Sequence, residues 1–255
     1  MQADALFDLG GKTALVTGAS RGIGAATAQL LARHGAHVIV SSRKLAACEE
    51  IAAAIRADGG QATAAAAHIG EVESIDALLR ELGSSGRVPD ILVNNAAANP
   101  YFGPMLDMDL AAFDKTVAVN IRGYFYTSIG VARLMRAHGG GVIVNVASVN
   151  GRRAAPGQGV YSMTKAAILS MTEGCAKEFA AHKIRVNAVL PGLTDTKFAG
   201  ALTQNADLLK QFLRLVPMGR IAQPDEIAPM ILFLCSPAAS YITGASFAVD
   251  GGYLA

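Results

Sequence analysis

The chain is predicted to be an α/β domain in which helices cover both faces of a mainly parallel, doubly wound sheet. Three observations predict this. Short apolar runs alternate with longer helical patterns from residue 13 almost to the end. The runs are continuous rather than alternating, which is the pattern of strands buried on both faces. No linker or composition shift divides residues 1–255, so they are expected to form a single domain.

The first strand is TALVT at Thr13–Thr17, and a glycine-rich turn leads from it into a helix over residues 23–34. A second strand at 37–41 precedes a helix at Leu45–Ala57, and residues 61–69 form a third strand despite alanine's weak strand preference. Helix 74–82 leads to a strand at 90–94, and one long helix is expected over 110–137. Strand 141–145, helix 161–181, strand 184–190, helix 225–234 and strand 245–249 complete seven strands. Residues 194–215 break the alternation after Pro191-Gly192 and read as an inserted helical hairpin, a candidate lid. Strand–helix alternation at this spacing is that of a Rossmann-type sheet.

Hydrophobic residues make up 52% of the chain and charged residues 16%, which suits a large covered core. A net charge of +2, with no Lys/Arg run, gives no footprint for nucleic acid. Cys48, Cys175 and Cys235 are odd in number and far apart, which supports neither a disulfide framework nor a metal cluster. The opening MQADALFDLGGK lacks a basic region followed by an apolar stretch, so no signal peptide is expected there. No apolar run approaches the roughly 18 residues that span a bilayer. A soluble, cytoplasmic protein is the expectation.

Glycines in the turn TGASRGIG at Thr17 allow a tight bend and a close approach of backbone N–H groups to a pyrophosphate at the helix N-terminus. The spacing is G-x-x-x-G-x-G rather than G-x-G-x-x-G, so the turn alone could be ordinary loop chemistry. Its place after the first strand points to a dinucleotide. The second strand ends in Ser41-Ser42-Arg43-Lys44, with no carboxylate before Glu49 to accept a ribose 2′-hydroxyl. Arg43, with Arg21 in the glycine loop, could instead hold a 2′-phosphate. NADP(H) is therefore expected over NAD(H), the alternative being that Arg43 and Lys44 are loop residues in water.

Tyr161 and Lys165 stand four residues apart, so on a helix they share one face. An ammonium beside a phenol stabilises the phenolate and lowers its pKa toward the working range of a proton donor. Ser148, at the end of an apolar strand thirteen residues upstream, completes a possible site.

Together these residues resemble the short-chain dehydrogenase/reductase family over nearly the whole length. The motifs TGASRGIG, Asn94-Asn95-Ala96, Asn120, Ser148, Tyr161-x-x-x-Lys165, Pro191-Gly192 and Asp250-Gly251-Gly252 occur in order. Three strings, at 41–44, 68–70 and 95–103, are similar to the NADP-dependent retinal/carbonyl reductases. The resemblance implies that Tyr161 exchanges a proton with the substrate oxygen and that Ser148 hydrogen-bonds that oxygen. It implies that Lys165 serves both Tyr161 and the nicotinamide ribose, and that Asn120 positions a water leading from Lys165 to solvent.

For the cofactor the resemblance implies contacts from Gly18, Ser20, Arg21, Gly22, Ile23 and Gly24 in the first turn. It adds Ser42, Arg43 and Lys44, then His68 and Ile69, then Asn95, Ala96 and Ala97. Tyr161, Lys165, Pro191, Gly192, Thr194 and Thr196 would complete the set. Ala97 replaces a usual glycine, and Thr194 replaces an aliphatic residue. His68 replaces an aspartate that contacts adenine, and it could either hydrogen-bond the base or be a structural histidine.

Ser148, Asn150, Pro156, Leu193 and Phe198, with Phe102 and Met105, are expected to line the substrate pocket. They suit a moderately hydrophobic ketone, aldehyde or alcohol. The enzymatic alternative is a 3-oxoacyl carrier-protein reductase, which would need Arg133, Arg136, Arg152 and Arg153 near the mouth. A non-catalytic nucleotide sensor would keep the fold without the chemistry, against which stands the complete set Asn120, Ser148, Tyr161 and Lys165. Ala166, Ala167, Ser170 and Gly174 permit close helix packing, and the resemblance implies a homotetramer, although these residues could equally face the sheet.

Overall fold

A computed structural model of the chain describes residues 3–203 and 205–255. Position 204 of the expected lid, and the first two residues of the N-terminal segment, lie outside that description. The strands are β1 (Thr13–Thr17), β2 (His37–Ser42), β3 (Gln61–Ala66), β4 (Ile91–Asn94), β5 (Gly141–Val146), β6 (Ile184–Pro191) and β7 (Ser246–Val249). They form a single seven-stranded sheet in the order β3-β2-β1-β4-β5-β6-β7. Every pairing in it is parallel. The direction of strand order reverses between β1 and β4, and in such sheets ligands bind outside the C-terminal strand ends at that point.

The helices are α1 (Gly22–Arg33), α2 (Leu45–Ala57), α3 (Val72–Ser84), α4 (Leu110–Val117), α5 (Tyr124–Ala137) and α6 (Gly159–Phe179). Then come α7 (Gly200–Thr203), α8 (Ala206–Leu213) and α9 (Pro224–Cys235). Successive strand residues face opposite sides, and the core divides accordingly. Ala14 and Val16 of β1 pack with Ala28 and Leu31 of α1 and Ile227 and Ile231 of α9. Leu15, between them, packs with Val131 and Met135 of α5. Alanines and glycines on α1 let it lie close beside α9, so the glycine turn is backed by a rigid layer.

Buried asparagines tie the centre of the sheet to the helices beneath it. Asn94 Nδ2 donates to Ser128 Oγ at 2.8 Å and to Asn145 Oδ1 at 3.0 Å. Asn145 Nδ2 in turn donates to Thr172 Oγ1 on α6 at 3.0 Å. Most of these polar groups satisfy one another, Asn94 Oδ1 being left without a partner among the described residues, and the bonds tie β4 and β5 to α5 and α6.

Three expectations need correction. The third strand ends at Ala66 instead of running to residue 69, and Ala67–Ile69 turn away from the sheet. The last strand is only partly covered in this chain, because β7 is the sheet's edge and pairs on one side alone. The single helix expected at 110–137 is interrupted by a π-helical segment, Ala118–Gly123, between α4 and α5. Two tertiary contacts at this break lie outside the helical pattern. The side chain of Asn120 bonds the backbone of Ala98, and the Ile69 carbonyl crowds the place where Gly123 would carry a Cβ.

Gly123→Ala should therefore destabilise the protein although alanine is the better helix former. Overpacking of this kind costs roughly 1–3 kcal/mol, so melting should fall by about 3–10 °C for a chain of this size. An unchanged melting curve would mean that the Ile69 contact does not constrain the segment.

Candidate active site

The expected catalytic residues converge at the C-terminal end of β5. Ser148 follows the strand by two residues and opens a 3-10 turn, Val149–Gly151, in which its hydroxyl accepts from Asn150 N at 3.1 Å. This turn lies against α6 because Gly151 has no side chain; a Cβ there would come within 2.8 Å of the Lys165 carbonyl. Ser148 thus lies beside the Tyr161 phenol, close enough to draw its pKa downward. Both residues are 9% exposed, which leaves one edge of the pair open to a substrate.

Lys165 lies one turn beyond Tyr161 and is 1% exposed. Its Nζ donates to the Val146 carbonyl at 2.8 Å, an acceptor shared with the Tyr124 hydroxyl at 3.0 Å. The ammonium sits 5.2 Å from the Tyr124 ring centre and 5.5 Å from that of Tyr161, within the range of cation–π attraction. One of its three N–H donors is used by Val146, and among the described residues the others have no partner.

The sequence predicts that Lys165 lowers the Tyr161 pKa. In the structure burial raises the phenol above its ordinary value, and the opposing influence comes from hydrogen bonding to Ser148 rather than from Lys165. Burial also lowers Lys165 to about 7. The physical reason is shared: each group loses hydration, and desolvation disfavours whichever form is charged.

Asn120 is fully buried in the π-helical segment. Its Oδ1 accepts from Ala98 N at 2.8 Å, while Nδ2 donates to Ala98 O at 2.9 Å and to Thr164 Oγ1 at 3.0 Å. Both amide hydrogens are thereby used on protein atoms rather than aimed at Lys165. Any water held by Asn120 would have to use its backbone or the remaining Oδ1 lone pair. π-Helical turns of this sort recur at functional sites.

The glycine turn fits a dinucleotide pyrophosphate. Gly18 and Gly22 hold φ values of +63° and +57°, which favour glycine. A Cβ on Gly18 would lie 2.7 Å from Ala96 Cα, and one on Gly22 would lie 3.1 Å from Thr196 Cγ2. Asn95 closes the turn from the β4 side, with Nδ2 donating to the carbonyls of Thr17 at 3.0 Å and Gly18 at 3.1 Å. No side chain caps the N-terminus of α1, so its first N–H groups remain available beside Ser20, Arg21 and Ile23.

Arg43 and Lys44 follow β2 in exposed positions, and among the described residues Arg43 has no carboxylate partner. Glu49, the first carboxylate beyond the strand, is paired with Arg56 instead. Ser42 lies just before them, its hydroxyl bonded to Cys48 Sγ at 3.0 Å. Pro191, Gly192 and Thr194 lie at the end of β6, with Thr194 buried and its hydroxyl donating to Gly192 O at 3.1 Å. Ala97 is accommodated, being partly buried beside the Asn120-bound Ala98.

His68 is partly buried, and its Nδ1 accepts from Gly70 N at 3.0 Å. A neutral His68 therefore offers an N–H donor at Nε2 where an aspartate would offer an acceptor. Ile69 points into the core, so any part it plays toward a cofactor falls to its backbone.

A recess beside Tyr161 is lined by Asn99, Tyr101, Gly103, Met105 and Met108 on one side and by residues 157–160 on the other. Gly103 N donates to Gly157 O at 2.9 Å, which brings the two loops together. Phe102 lies against Gly157 and Met105 against Gly159; of the two, Met105 lines the recess. Phe198, from the segment opening the candidate lid, has its ring centre 5.6 Å from that of Tyr161. Asn150, four residues beyond β5, reaches the recess through its hydrogen bond to Gln158.

Pro156 is a correction: it is exposed and does not line the recess, because the tight turn at Gly157, with φ +74°, directs the chain inward only after it. Asn99, Tyr101, Met108 and Gln158 line the recess and were not anticipated. Their sequence carries no periodic signal, since their nearness depends on two loops fifty residues apart. Among the described residues no His, Cys, Asp and Glu cluster could hold a metal ion.

Comparison with known proteins places the chain among dehydrogenases and reductases of one family. A family model described as enoyl-(acyl carrier protein) reductase matches residues 18–254. The rabbit (Oryctolagus cuniculus) dehydrogenase/reductase SDR family member 4 is 38% identical over 245 residues, covering 96% of this chain and 94% of its own. The cis-4-hydroxycyclohexanecarboxylate dehydrogenase of Sinomonas cyclohexanicum is 38% identical, over 96% of this chain and 97% of its own. A crystal structure of gluconate 5-dehydrogenase from Burkholderia cenocepacia, in complex with NADP and tartrate, superposes with a TM-score of 0.95 at 32% identity, covering 99% of this chain and 98% of that one.

Lys165 generates a stability prediction. Its value in the folded chain, about 7, lies below its ordinary 10.5. The cost of burying the ammonium is therefore full below about pH 7 and fades as pH rises toward 10.5, where the unfolded chain loses its proton too. Lys165→Met should be inactive yet melt about 5–10 °C higher than the parent at pH 6. Tyr124 still satisfies the Val146 carbonyl in that variant. The gain should narrow by pH 10; thermal melts showing a pH-independent gap or a loss would contradict it.

Proposed function

The chain belongs to the short-chain dehydrogenase/reductase family, and from that premise we propose an NADP(H)-dependent oxidoreductase that interconverts a moderately hydrophobic ketone or aldehyde and its alcohol. The observation that carries this reading is the convergence of Ser148 and Tyr161, each 9% exposed, on the buried Lys165 ammonium, which lies 5.5 Å from the Tyr161 ring centre. The bound nicotinamide supplies the hydride for reduction, or accepts it in the reverse direction.

The protein's own part is proton management and orientation. Tyr161 gives its phenolic proton to the substrate oxygen as negative charge develops there, and Ser148 steadies that oxygen with a second hydrogen bond. Lys165, anchored by Val146 at 2.8 Å, keeps two donors for the nicotinamide ribose and for proton supply to Tyr161. Asn120 shapes that supply by holding the π-helical segment against Ala98. The exposed Arg43, supported by Arg21, would hold a 2′-phosphate, and the first turn of α1 the pyrophosphate. NADP in the Burkholderia cenocepacia enzyme agrees with that preference.

The same reading extends to architecture and setting. The whole chain acts as one domain, with residues 194–215 as a lid that brings Phe198 over Tyr161. Phe125 on α5 and Met163 on α6 are exposed apolar residues, as are Leu106 and Leu110, which suits burial between subunits of a homotetramer. No described helix is long and apolar enough to cross a membrane. Three buried cysteines outside any disulfide suit a cytoplasmic location.

The carrier-protein alternative needs one basic face at the mouth. Arg152 and Arg153 instead reach toward the backbone of Ser246 and Tyr253, while Arg133 stands near Tyr126 on α5. That scatter favours a small-molecule substrate.

Tyr161→Phe should lower kcat by at least a thousandfold while the variant still binds NADPH in a fluorescence titration. Substantial retained turnover would remove Tyr161 from proton transfer. Arg43→Asp should lower kcat/KM for NADPH about 10–100-fold, the scale of lost charge-assisted hydrogen bonds, and shift the preference toward NADH. Equal effects on both cofactors would contradict the 2′-phosphate role.

A further inference from the structure

Gln158 occupies the N-cap position of α6, three residues before Tyr161, yet its side chain does not cap the helix. Its Oε1 accepts a hydrogen bond from Asn150 Nδ2. Asn150 is 9% exposed, and its backbone N–H donates to Ser148 Oγ at 3.1 Å. A single residue therefore orients both the Ser148 hydroxyl and the Gln158 amide. With Oε1 occupied, Gln158 has its Nε2 hydrogens left to offer, and among the described residues they find no partner.

Gln158 and Tyr161 line the same recess. Residues three apart at a helix start lie on one face, with Cβ atoms about 5–6 Å apart. The other polar groups of the recess are Asn99 and Tyr101, and the Tyr101 hydroxyl already donates to Pro104 O at 2.8 Å. Among the described residues no charged side chain lines it. A carboxylate entering such a site would lose hydration without gaining a cation, whereas a neutral oxygen needs only one donor.

We propose that Gln158 is a specificity-determining residue whose amide N–H donates to a second, uncharged oxygen of the substrate, one or two carbons from the reacting carbonyl. The substrate class is then a dicarbonyl or hydroxycarbonyl compound rather than an oxo acid or a simple ketone. This rests on the carbonyl-reduction reading above.

The test measures NADPH-dependent kcat/KM for butane-2,3-dione, butan-2-one and 2-oxobutanoate in the wild type, Gln158→Met and Gln158→Glu. The wild type should prefer the dione to both others. The dione/butanone ratio should fall about tenfold in Gln158→Met, which keeps length and loses the donor, and at least as far in Gln158→Glu. These ratios are independent of the fraction of each variant that folds. An unchanged ratio with both rates falling together would make Gln158 merely structural. A ratio that rises in Gln158→Glu, or a wild type that prefers 2-oxobutanoate, would also overturn the proposal. A wild type inert toward all three would overturn the reduction reading and this inference with it.

Discussion

The bond from Lys165 Nζ to the last carbonyl of β5, at Val146, is the constraint on which the site depends. It places an ammonium in the dry interior at the C-terminal end of a central strand. Burying such a charge costs several kcal/mol, and a single backbone acceptor offsets only part of that. The faces of Tyr124 and Tyr161 add cation–π attraction on two sides. The surrounding structure must hold all these groups still. It does so through the Asn94–Asn145–Thr172 network beneath β5 and the close contact of Gly151 with α6.

Electrostatically the site works against both of its titrating groups. Burial disfavours the Tyr161 phenolate and the Lys165 ammonium alike, so neither reaches its charged form as readily as in water. A phenol raised in this way is a weaker acid than tyrosine in water, so it stays protonated until an oxygen that is gaining charge draws the proton from it. Lys165, lowered to about 7, can exchange its proton near neutrality. Ser148 is the one neighbour identified as favouring the phenolate, and its own geometry is set by Asn150.

Much of this was legible in the sequence. Strand positions followed from continuous apolar runs, and the helical pairing of Tyr161 with Lys165 followed from a four-residue spacing. The missing carboxylate after β2 was equally visible, because it concerns residue identity rather than packing. What could not be read depends on contacts made only in three dimensions. The π-helical segment at Ala118–Gly123 lies inside a continuous helical pattern and is met by Ile69, fifty residues earlier. Gln158 and Asn99 join one recess only because Gly103 bonds Gly157. Pro156 was misplaced for the same reason, since a positive-φ turn at Gly157 decides which residues face inward. The pKa of Tyr161 was misjudged because local spacing reveals a neighbouring charge but not the loss of water.

The central claim, that burial rather than mutual attraction governs the Tyr161–Lys165 pair, can be read directly from the side-chain resonances of Lys165. Titration of the protein carrying 13C-labelled lysine, with Lys165 assigned by the Lys165→Met variant, would give its protonation midpoint. The account predicts a midpoint near 7 for Lys165, well below the value of about 10.4 for a free lysine side chain. A Lys165 midpoint at or above that free value would contradict it, and would restore the simpler picture of a fully charged ammonium lowering its tyrosine.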